Sequence, residues 1–248
     1  MPTWKITLEY DGTRYRGWQS QKNTDRTVQG ALLRAAHELL GADATLSGAG
    51  RTDAGVHALA QVAHLKAQKA LPEADVAWGL NERLPADINV TLVEKAPPRF
   101  HARHSATSRT YLYRISRRRT AFDKPFVWWV KDRLDFAAMR RAAKIFEGRH
   151  DFRSFCENPE GQESTLVVVE KCDVAEVGQE IHFRITASHF LWKMVRRIVG
   201  VLVEVGKGNL TSDKVPALMA GDSGLPAKLT APPSGLFLEK VYYEGDAL

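Results

Sequence analysis

The sequence contains little cysteine, no long apolar run and no recognisable zinc motif. Its 248 residues include two cysteines, Cys156 and Cys172. This count excludes a disulfide-stapled scaffold and predicts free thiols in a reducing compartment, with a single disulfide as the alternative. The most apolar stretch, residues 190–205, carries four charged side chains and is too polar to span a membrane. Neither His-Glu-x-x-His nor Cys-x-x-Cys occurs, so a zinc site is not expected.

The N-terminal residues lack the apolar core of a signal peptide, so we expect a cytoplasmic location. A hydrophobic content of 44% and a charged content of 26% are typical of a soluble globular protein. The net charge of +6 makes an anionic partner plausible without requiring one.

Acidic residues are also missing from the whole segment between Glu94 and Asp123. Basic and aromatic side chains alternate there instead, namely Lys95, Arg99, Phe100, His101, Arg103, His104, Arg109, Tyr111, Tyr113, Arg114, Arg117, Arg118 and Arg119. Basic groups suit phosphates and aromatic faces suit unpaired bases, so the segment favours a nucleic acid partner. The alternative is a solvated basic surface with one tyrosine in the core. A shorter patch of the same character covers residues 14–18.

Hydrophobic periodicity predicts an α+β fold made of two lobes. Strands and helices alternate in a β-α-β-β-α-β order over the first half, which is typical of a ferredoxin-like or RRM-like lobe. A second α+β unit follows, with helices over 135–147 and 190–205. We therefore expect a first lobe over 1–116, a connection over 117–134 and a second lobe over 135–248. Their antiparallel sheets are expected to join across a central RNA-binding cleft.

One carboxylate lies in the glycine-rich segment Gly48–Ala58. Asp53 is preceded by Arg51, and a nearby cation favours the ionised form of a carboxyl group. A glycine-rich turn also lets the backbone approach a bulky ligand. An ionised carboxylate on such a turn is a candidate nucleophile or base. The alternative is an ordinary Asp-Ala-Gly turn in which Asp53 bonds its own backbone.

Two further positions could carry chemistry. Tyr111 and Tyr113 are two residues apart on a predicted strand and so share a face. If that face lines a cleft, one ring can stack on a base, while core packing is expected for the other. On the helix predicted over 190–205, Arg196 falls opposite the centre of the apolar stripe, so it points to solvent or into a cleft.

Several motifs resemble those of the tRNA pseudouridine synthase A family. The longest is Arg51-Thr52-Asp53-Ala54-Gly55-Val56-His57-Ala58. The others are Tyr10-Asp11-Gly12-Thr13 with Gly17-Trp18-Gln19, Thr27-Val28-Gln29, Phe100-His101-Ala102-Arg103, Arg109-Thr110-Tyr111-x-Tyr113, His150-Asp151-Phe152-x-Ser154-Phe155, Met194-Val195-Arg196-x-Ile198-Val199-Gly200, and Gly235-Leu236-x-Leu238 with Val241-x-Tyr243. The resemblance therefore extends over almost the whole chain.

The resemblance implies that the protein isomerises uridine to pseudouridine in the anticodon stem-loop of tRNA, at positions 38, 39 and 40. It implies Asp53 as the nucleophile, Arg196 as its ionic partner, and Tyr111 as the ring that stacks on the uracil. The target base would be flipped out of its helical stack. The substrate-binding residues would be Arg51, Thr52, His57, Arg14, Trp18, Gln19, Arg103, Arg109 and Arg118.

By the same resemblance, no cofactor and no metal are needed, the partner is tRNA rather than a membrane, and the protein is a homodimer. Attack at C1′, attack at C6 and a glycal route all stay open. One departure is Ser188-His189, which stands where the family usually has Asn and a small residue. A non-catalytic RNA-binding protein is the main alternative, and a nucleotide hydrolase with Asp53 as base is another.

Overall fold

Strands and helices alternate along residues 1–247, which a computed structural model describes. The strands are β1 (Thr3–Tyr10), β2 (Thr45–Gly48), β3 (His57–Lys66), β4 (Ile88–Lys95), β5 (Ala106–Ser116), β6 (Trp128–Trp129), β7 (Gly148–Asp151), β8 (Leu166–Val177), β9 (Glu180–Ala187) and β10 (Leu236–Tyr243). The helices are α1 (Val28–Leu40), α2 (Glu73–Asn81), α3 (Phe136–Lys144), α4 (Met194–Gly206), α5 (Val215–Ala220) and α6 (Leu225–Lys228). The predicted α+β class is confirmed.

The chain divides into two units. The first contains Met1–Thr107 together with the C-terminal segment from Phe237, and the second contains Ser108–Leu236. These limits differ from the predicted lobes, which ended at 116 and began again at 135. The reason is strand pairing, since β5 pairs with β9 and β10 pairs with β3.

The first unit is built on a split β-α-β arrangement. Strand β1 lies between β4 and β3 and is antiparallel to both, and β2 pairs antiparallel with the far edge of β3. The order β4-β1-β3-β2 is the ferredoxin-like order expected from the sequence. Strand β10 adds to the same edge of β3, parallel to it at His57 and Ala58.

Local sequence signals at Thr27 and Gly41 account for both ends of helix α1. The Thr27 side chain accepts a hydrogen bond from the backbone N–H of Gly30, which satisfies an otherwise unpaired donor of the first turn. Gly41 follows the helix with a φ of +111°, a backbone conformation that favours glycine. Helix α2 follows directly after Pro72.

The second unit also contains antiparallel strands, in the order β5-β9-β8-β7, with the short β6 parallel to β5. The Asp135 side chain caps α3 by accepting from the N–H of Ala138. A hairpin around Gly178, with a φ of +57°, joins β8 to β9.

The long helix of the second unit starts later than predicted. Helix α4 begins at Met194, whereas the apolar pattern predicted a start at Phe190. Lys193 takes a left-handed φ of +62° and ends the preceding turn. Leu191 is buried in that turn, and the Phe190 ring packs against Tyr111. The apolar residues before Met194 are therefore explained by tertiary packing and not by a helix. No helix in the described part of the chain is long and apolar enough to cross a membrane.

Candidate active site

The loop that carries Asp53 is held by the segment that follows β1. The backbone N–H of Trp18 donates to the carbonyl of Thr52 at 3.0 Å. Gly17 has a φ of +96°, and a Cβ placed there would lie 2.6 Å from that same carbonyl oxygen. Only glycine combines this backbone conformation with so close an approach. Gly17 therefore allows the two loops to pack backbone against backbone.

The Thr52 side chain anchors the same loop from the inside. Its hydroxyl lies 2.8 Å from the Tyr10 hydroxyl, and both groups are buried. Burial raises the pKa of Tyr10 to about 12, so its phenol stays neutral over the physiological range. Thr52 is 6% exposed, so its side chain supports the loop.

Asp53 lies at the accessible part of the loop. It is half-buried, between an exposed Arg51 and an exposed Ala54. Its carbonyl accepts from the N–H of Val56 at 3.1 Å, and Gly55 closes the turn with a φ of +76°. The loop thus presents a carboxylate from a fixed backbone, which is the geometry needed by a nucleophile or a base.

His57 is buried directly after the turn. Its exposed fraction is 1%, and its ring stacks on Phe237 with centroids 4.7 Å apart. The N–H of Gly12 donates to His57 Nδ1 at 3.0 Å, so this nitrogen carries no proton. The Asp11 carboxylate lies 3.2 Å from the same Nδ1 but accepts instead from the N–H of Thr13. By accepting this bond, His57 fixes the start of β3 against the segment that follows β1.

Trp18 and Gln19 were both predicted to bind substrate, but Trp18 is buried inside the first unit and Gln19 is half-buried. The Trp18 ring is 1% exposed. A Cβ at Gly48 would lie 2.5 Å from that ring, so the strand and the indole are in direct contact. The Gln19 amide donates to Gln29 at 2.6 Å. Both side chains brace the loop, and the Trp18 ring has no open face for a ligand.

Arg14 and Arg103 lie on the surface of the first unit. The Arg14 guanidinium is exposed and forms an ion pair with Asp87, which also accepts from the Tyr15 hydroxyl at 2.6 Å. Arg103 is exposed in the turn after β4, where its N–H donates to His101 Nδ1.

A cluster of three histidine rings, tilted against one another, includes the His101 that accepts from the Arg103 N–H. The His64 and His101 rings are 4.5 Å apart, and those of His101 and His104 are 4.3 Å apart. Burial lowers the pKa of His64 to about 4, helped by the positive charge of His101 and Lys66. This cluster was not predicted, because His64 is distant in sequence from His101 and His104.

In the second unit, the two tyrosines of β5 have separate surroundings. Tyr113 is fully buried, and its hydroxyl donates to the Pro232 carbonyl at 2.8 Å. Burial raises the pKa of Tyr113 well above its ordinary value. Tyr111 is 8% exposed and meets the edge of Phe190 with centroids 4.8 Å apart. The expectation that one of the two would be a core residue is confirmed for Tyr113.

Arg196 lies in the first turn of α4 and is half-buried. Its Nε donates to the Ala231 carbonyl at 2.7 Å, and the Ala231 N–H donates back to the Arg196 carbonyl at 3.0 Å. This reciprocal pair fixes both the backbone and the guanidinium. The Arg196 charge also acts on the neighbouring Tyr113, where it opposes the effect of burial on the pKa.

The adjacent Arg197, which the sequence did not single out, is buried and structural. Its Nη1 donates to the carbonyls of Ser154 and Cys156, and its Nη2 pairs with Glu157. Glu157 also binds Lys193 at 3.0 Å, and these cations hold the pKa of its carboxyl below the usual value. The cluster fixes the start of α4, one residue away from Arg196.

The remaining predicted contacts lie elsewhere in the second unit. Arg109 is half-buried, and its Nη1 donates to the Ser188 carbonyl at 3.0 Å. The Ser188 hydroxyl in turn lies 3.1 Å from His189 Nδ1, so the Ser188-His189 pair adjoins Arg109. Arg118 is exposed after β5.

The predicted site residues thus form one group in each unit. In the first unit Arg51, Thr52 and Asp53 lie on one braced loop, and His57 follows them at the start of β3. In the second unit Tyr113 and Arg196 are bound to the segment 231–232.

Comparison with known proteins gives a consistent result. A family model described as tRNA pseudouridine synthase matches residues 6–105 and 142–244. The chain is 44% identical to a tRNA pseudouridine synthase A of Rhodopseudomonas palustris over 247 residues, covering 98% of this chain and 100% of that protein. It is 43% identical over 248 residues to one of Brucella ovis, with 98% of each chain covered. It is 37% identical over 245 residues to tRNA pseudouridine synthase A 2 of Bacillus anthracis, covering 98% of this chain and all of that protein.

Proposed function

Because the chain belongs to the tRNA pseudouridine synthase family, and is therefore an isomerase that acts on tRNA, we propose that Asp53 is its nucleophile and the anticodon stem-loop its target. The reaction breaks the bond from C1′ to N1 of uridine and rejoins the base through C5. The C5 proton is released and N1 gains one, so no oxidant and no hydrolytic water are consumed.

The observation that carries the assignment of Asp53 is the bracing of its loop. The neighbouring Thr52 is fixed twice, at its carbonyl by the N–H of Trp18 and at its hydroxyl by Tyr10. A nucleophile held by its own backbone loses little entropy when it reacts, and a covalent step divides one difficult exchange into easier ones. A mere Asp-Ala-Gly connection would not need so many buried supports.

Tyr111 and Arg196 complete the proposed catalytic set. Arg196 is the proposed cation that keeps the nucleophile ionised, and the bonds to Ala231 support this role because they fix its guanidinium. Tyr111 is the proposed stacking partner of the uracil. Its phenol is the candidate for proton transfer at the base.

The proposed tRNA contacts are the basic side chains at the surface. Arg51, Arg103 and Arg118 are exposed, so their charges can reach phosphates. Arg14 is also exposed, but it would have to exchange its ion pair with Asp87 for a phosphate. Arg109 is half-buried and would act nearer to the nucleotide. Such contacts offset the few kcal/mol needed to extrude the uridine from its stack. Thr52, His57, Trp18 and Gln19 would act by supporting the loops.

We further propose that the target uridines are those at positions 38, 39 and 40, and that the enzyme works as a cytoplasmic homodimer without cofactor or metal. The support is the motif resemblance and the acid-free basic segment. A non-catalytic RNA-binding protein would have no use for the braced carboxylate, and the named relatives are synthases.

The test is position-resolved mapping of pseudouridine on an unmodified tRNA transcript, in EDTA and without cofactor. Carbodiimide labelling followed by primer extension detects the product, which the isomerisation leaves unchanged in mass. We expect stops in the anticodon arm at positions 38, 39 or 40. Stops confined to another arm would contradict the proposed target, and a strict need for added metal would contradict the proposed chemistry.

A further inference from the structure

The second unit contains a basic cavity that none of the proposed catalytic residues lines. Its volume is about 890 Å³, within the range of roughly 300–1,000 Å³ that is common for ligand sites. Arg119, Lys124, Val127, Trp129 and Ser234 are among the residues that line it. None of the described lining residues carries a carboxylate.

The cations of this cavity have no ion pair to satisfy them. Within residues 1–247, neither Arg119 nor Lys124 lies in a salt bridge. The nearest acidic residue in the sequence, Asp123, is half-buried and accepts from the Thr120 hydroxyl at 3.3 Å in a closed local turn. Two unpaired cations at one cavity favour an anionic ligand.

The cavity also presents an aromatic face. Trp129 is 41% exposed although it is fixed in β6, where it pairs with Ser116 of β5. The Arg119 guanidinium lies 5.8 Å from the centre of its ring. A half-exposed indole beside cations can stack on an unpaired base while the cations bind its phosphate, a combination that is typical of single-stranded nucleic acid sites.

One short segment connects this cavity to Arg196. The Ser234 hydroxyl donates to the Val127 carbonyl at 3.4 Å and so joins two sides of the cavity. Three residues earlier, the Ala231 carbonyl accepts from Arg196 Nε. A ligand in the cavity would therefore contact the same segment that fixes Arg196.

We propose that the cavity binds an unpaired nucleotide of the tRNA, other than the reacting uridine, with its base against Trp129 and its phosphate at Arg119 and Lys124. This inference rests on the proposed function, because it names a second contact of the enzyme with its substrate. In this proposal Trp129 stacks on the base, and the two cationic side chains bind the phosphate.

The test compares kcat and KM for an unmodified tRNA transcript at several salt concentrations. Trp129→Leu is expected to raise KM by about fivefold or more without changing the salt dependence, because stacking on an aromatic ring is not ionic. Trp129→Phe keeps a ring and is expected to restore most of the affinity. Lys124→Ala is expected to raise KM and to lower the slope of log KM against log salt by about one.

Matched controls are Trp78→Leu and Lys214→Ala, since Trp78 is 71% exposed on α2 and Lys214 is exposed in the second unit. Both are expected to behave as wild type. Unchanged KM in the Trp129→Leu and Lys124→Ala variants of an active enzyme would overturn the cavity proposal. An equal loss in the Trp129→Phe and Trp129→Leu variants would overturn the stacking role. Failure of the proposed function is distinguishable, because wild type itself would then leave the transcript unmodified.

Discussion

Removal of the Tyr10 hydroxyl is expected to loosen the loop of Asp53 without touching the substrate. The phenol is 4% exposed, and its hydroxyl lies 2.8 Å from that of Thr52. Tyr10→Phe keeps the packing of the ring but deletes this buried bond. A net loss of about 1–2 kcal/mol in the free energy of unfolding follows, since the remaining hydroxyl is left under-satisfied. We expect kcat to fall by about fivefold to tenfold, because small displacements of a reacting group reduce rate steeply.

The assay combines urea unfolding with steady-state kinetics on a tRNA transcript, and KM is expected to change by less than about twofold because Tyr10 contacts no RNA in this account. Thr52→Val removes the same bond, so the double variant should lose less free energy of unfolding than the two single variants together, by about 0.5 kcal/mol or more.

Asn81→Ala is the control. It deletes two hydrogen bonds to Val90, at 2.8 and 2.9 Å, away from the loop. It should lower stability and leave kcat intact. Strictly additive effects of the two loop variants, or an unchanged kcat, would refute the reasoning.

Three other predictions follow from the same geometry. Gly17→Ala is expected to cost more than about 1 kcal/mol and most of the activity, because its Cβ would lie 2.6 Å from the Thr52 carbonyl oxygen at a φ of +96°. Gly245→Ala, at a φ of +91° with no atom within 4 Å, should keep its activity, and equal activity losses in the two variants would argue against the clash. The pKa of His64 is about 4 when folded, below its ordinary 6.5, so the unfolded chain binds more protons between these values and stability falls as pH drops through that window. His64→Asn should therefore lose less stability than wild type between pH 7 and pH 5 in urea unfolding, and an equal loss would contradict the burial argument. Arg118→Glu is expected to weaken tRNA binding mainly at low salt, and a loss that is the same at all salt concentrations would exclude a phosphate contact.

Local signals in the sequence were sufficient for most of the fold. Thr27 and Gly41 delimit α1 because a cap and a left-handed glycine act within a few residues. The start of α4 was misplaced because Leu191 is buried by tertiary packing before the helix begins. The position of β5 in the second unit depends on its pairing with β9, which no local pattern specifies.

The candidate site, like the fold, has features that local sequence predicts and others that depend on long-range contacts. Local sequence predicts the glycine-rich loop around Asp53. It also predicts that Arg196 lies opposite the apolar face of its helix. Trp18 stood among basic and polar neighbours that suggested a ligand-facing ring, yet it packs on Gly48, a contact across thirty positions. The partner of Arg14 is still more distant, since Asp87 lies on another part of the first unit. Long-range partners of this kind are set by the fold and are not visible as spacing.

The most direct test of Asp53 as the nucleophile is a single-turnover experiment on tRNA labelled with tritium at C5 of uridine. Formation of the bond from C1′ to C5 displaces that hydrogen, so tritium release reports the isomerisation itself. Wild type and Asp53→Asn would be compared with protein in excess, after tRNA binding has been measured for each. We expect tritium release by wild type and none by Asp53→Asn at equal tRNA occupancy. Release by Asp53→Asn at the wild-type rate would contradict the assignment of Asp53 as the nucleophile.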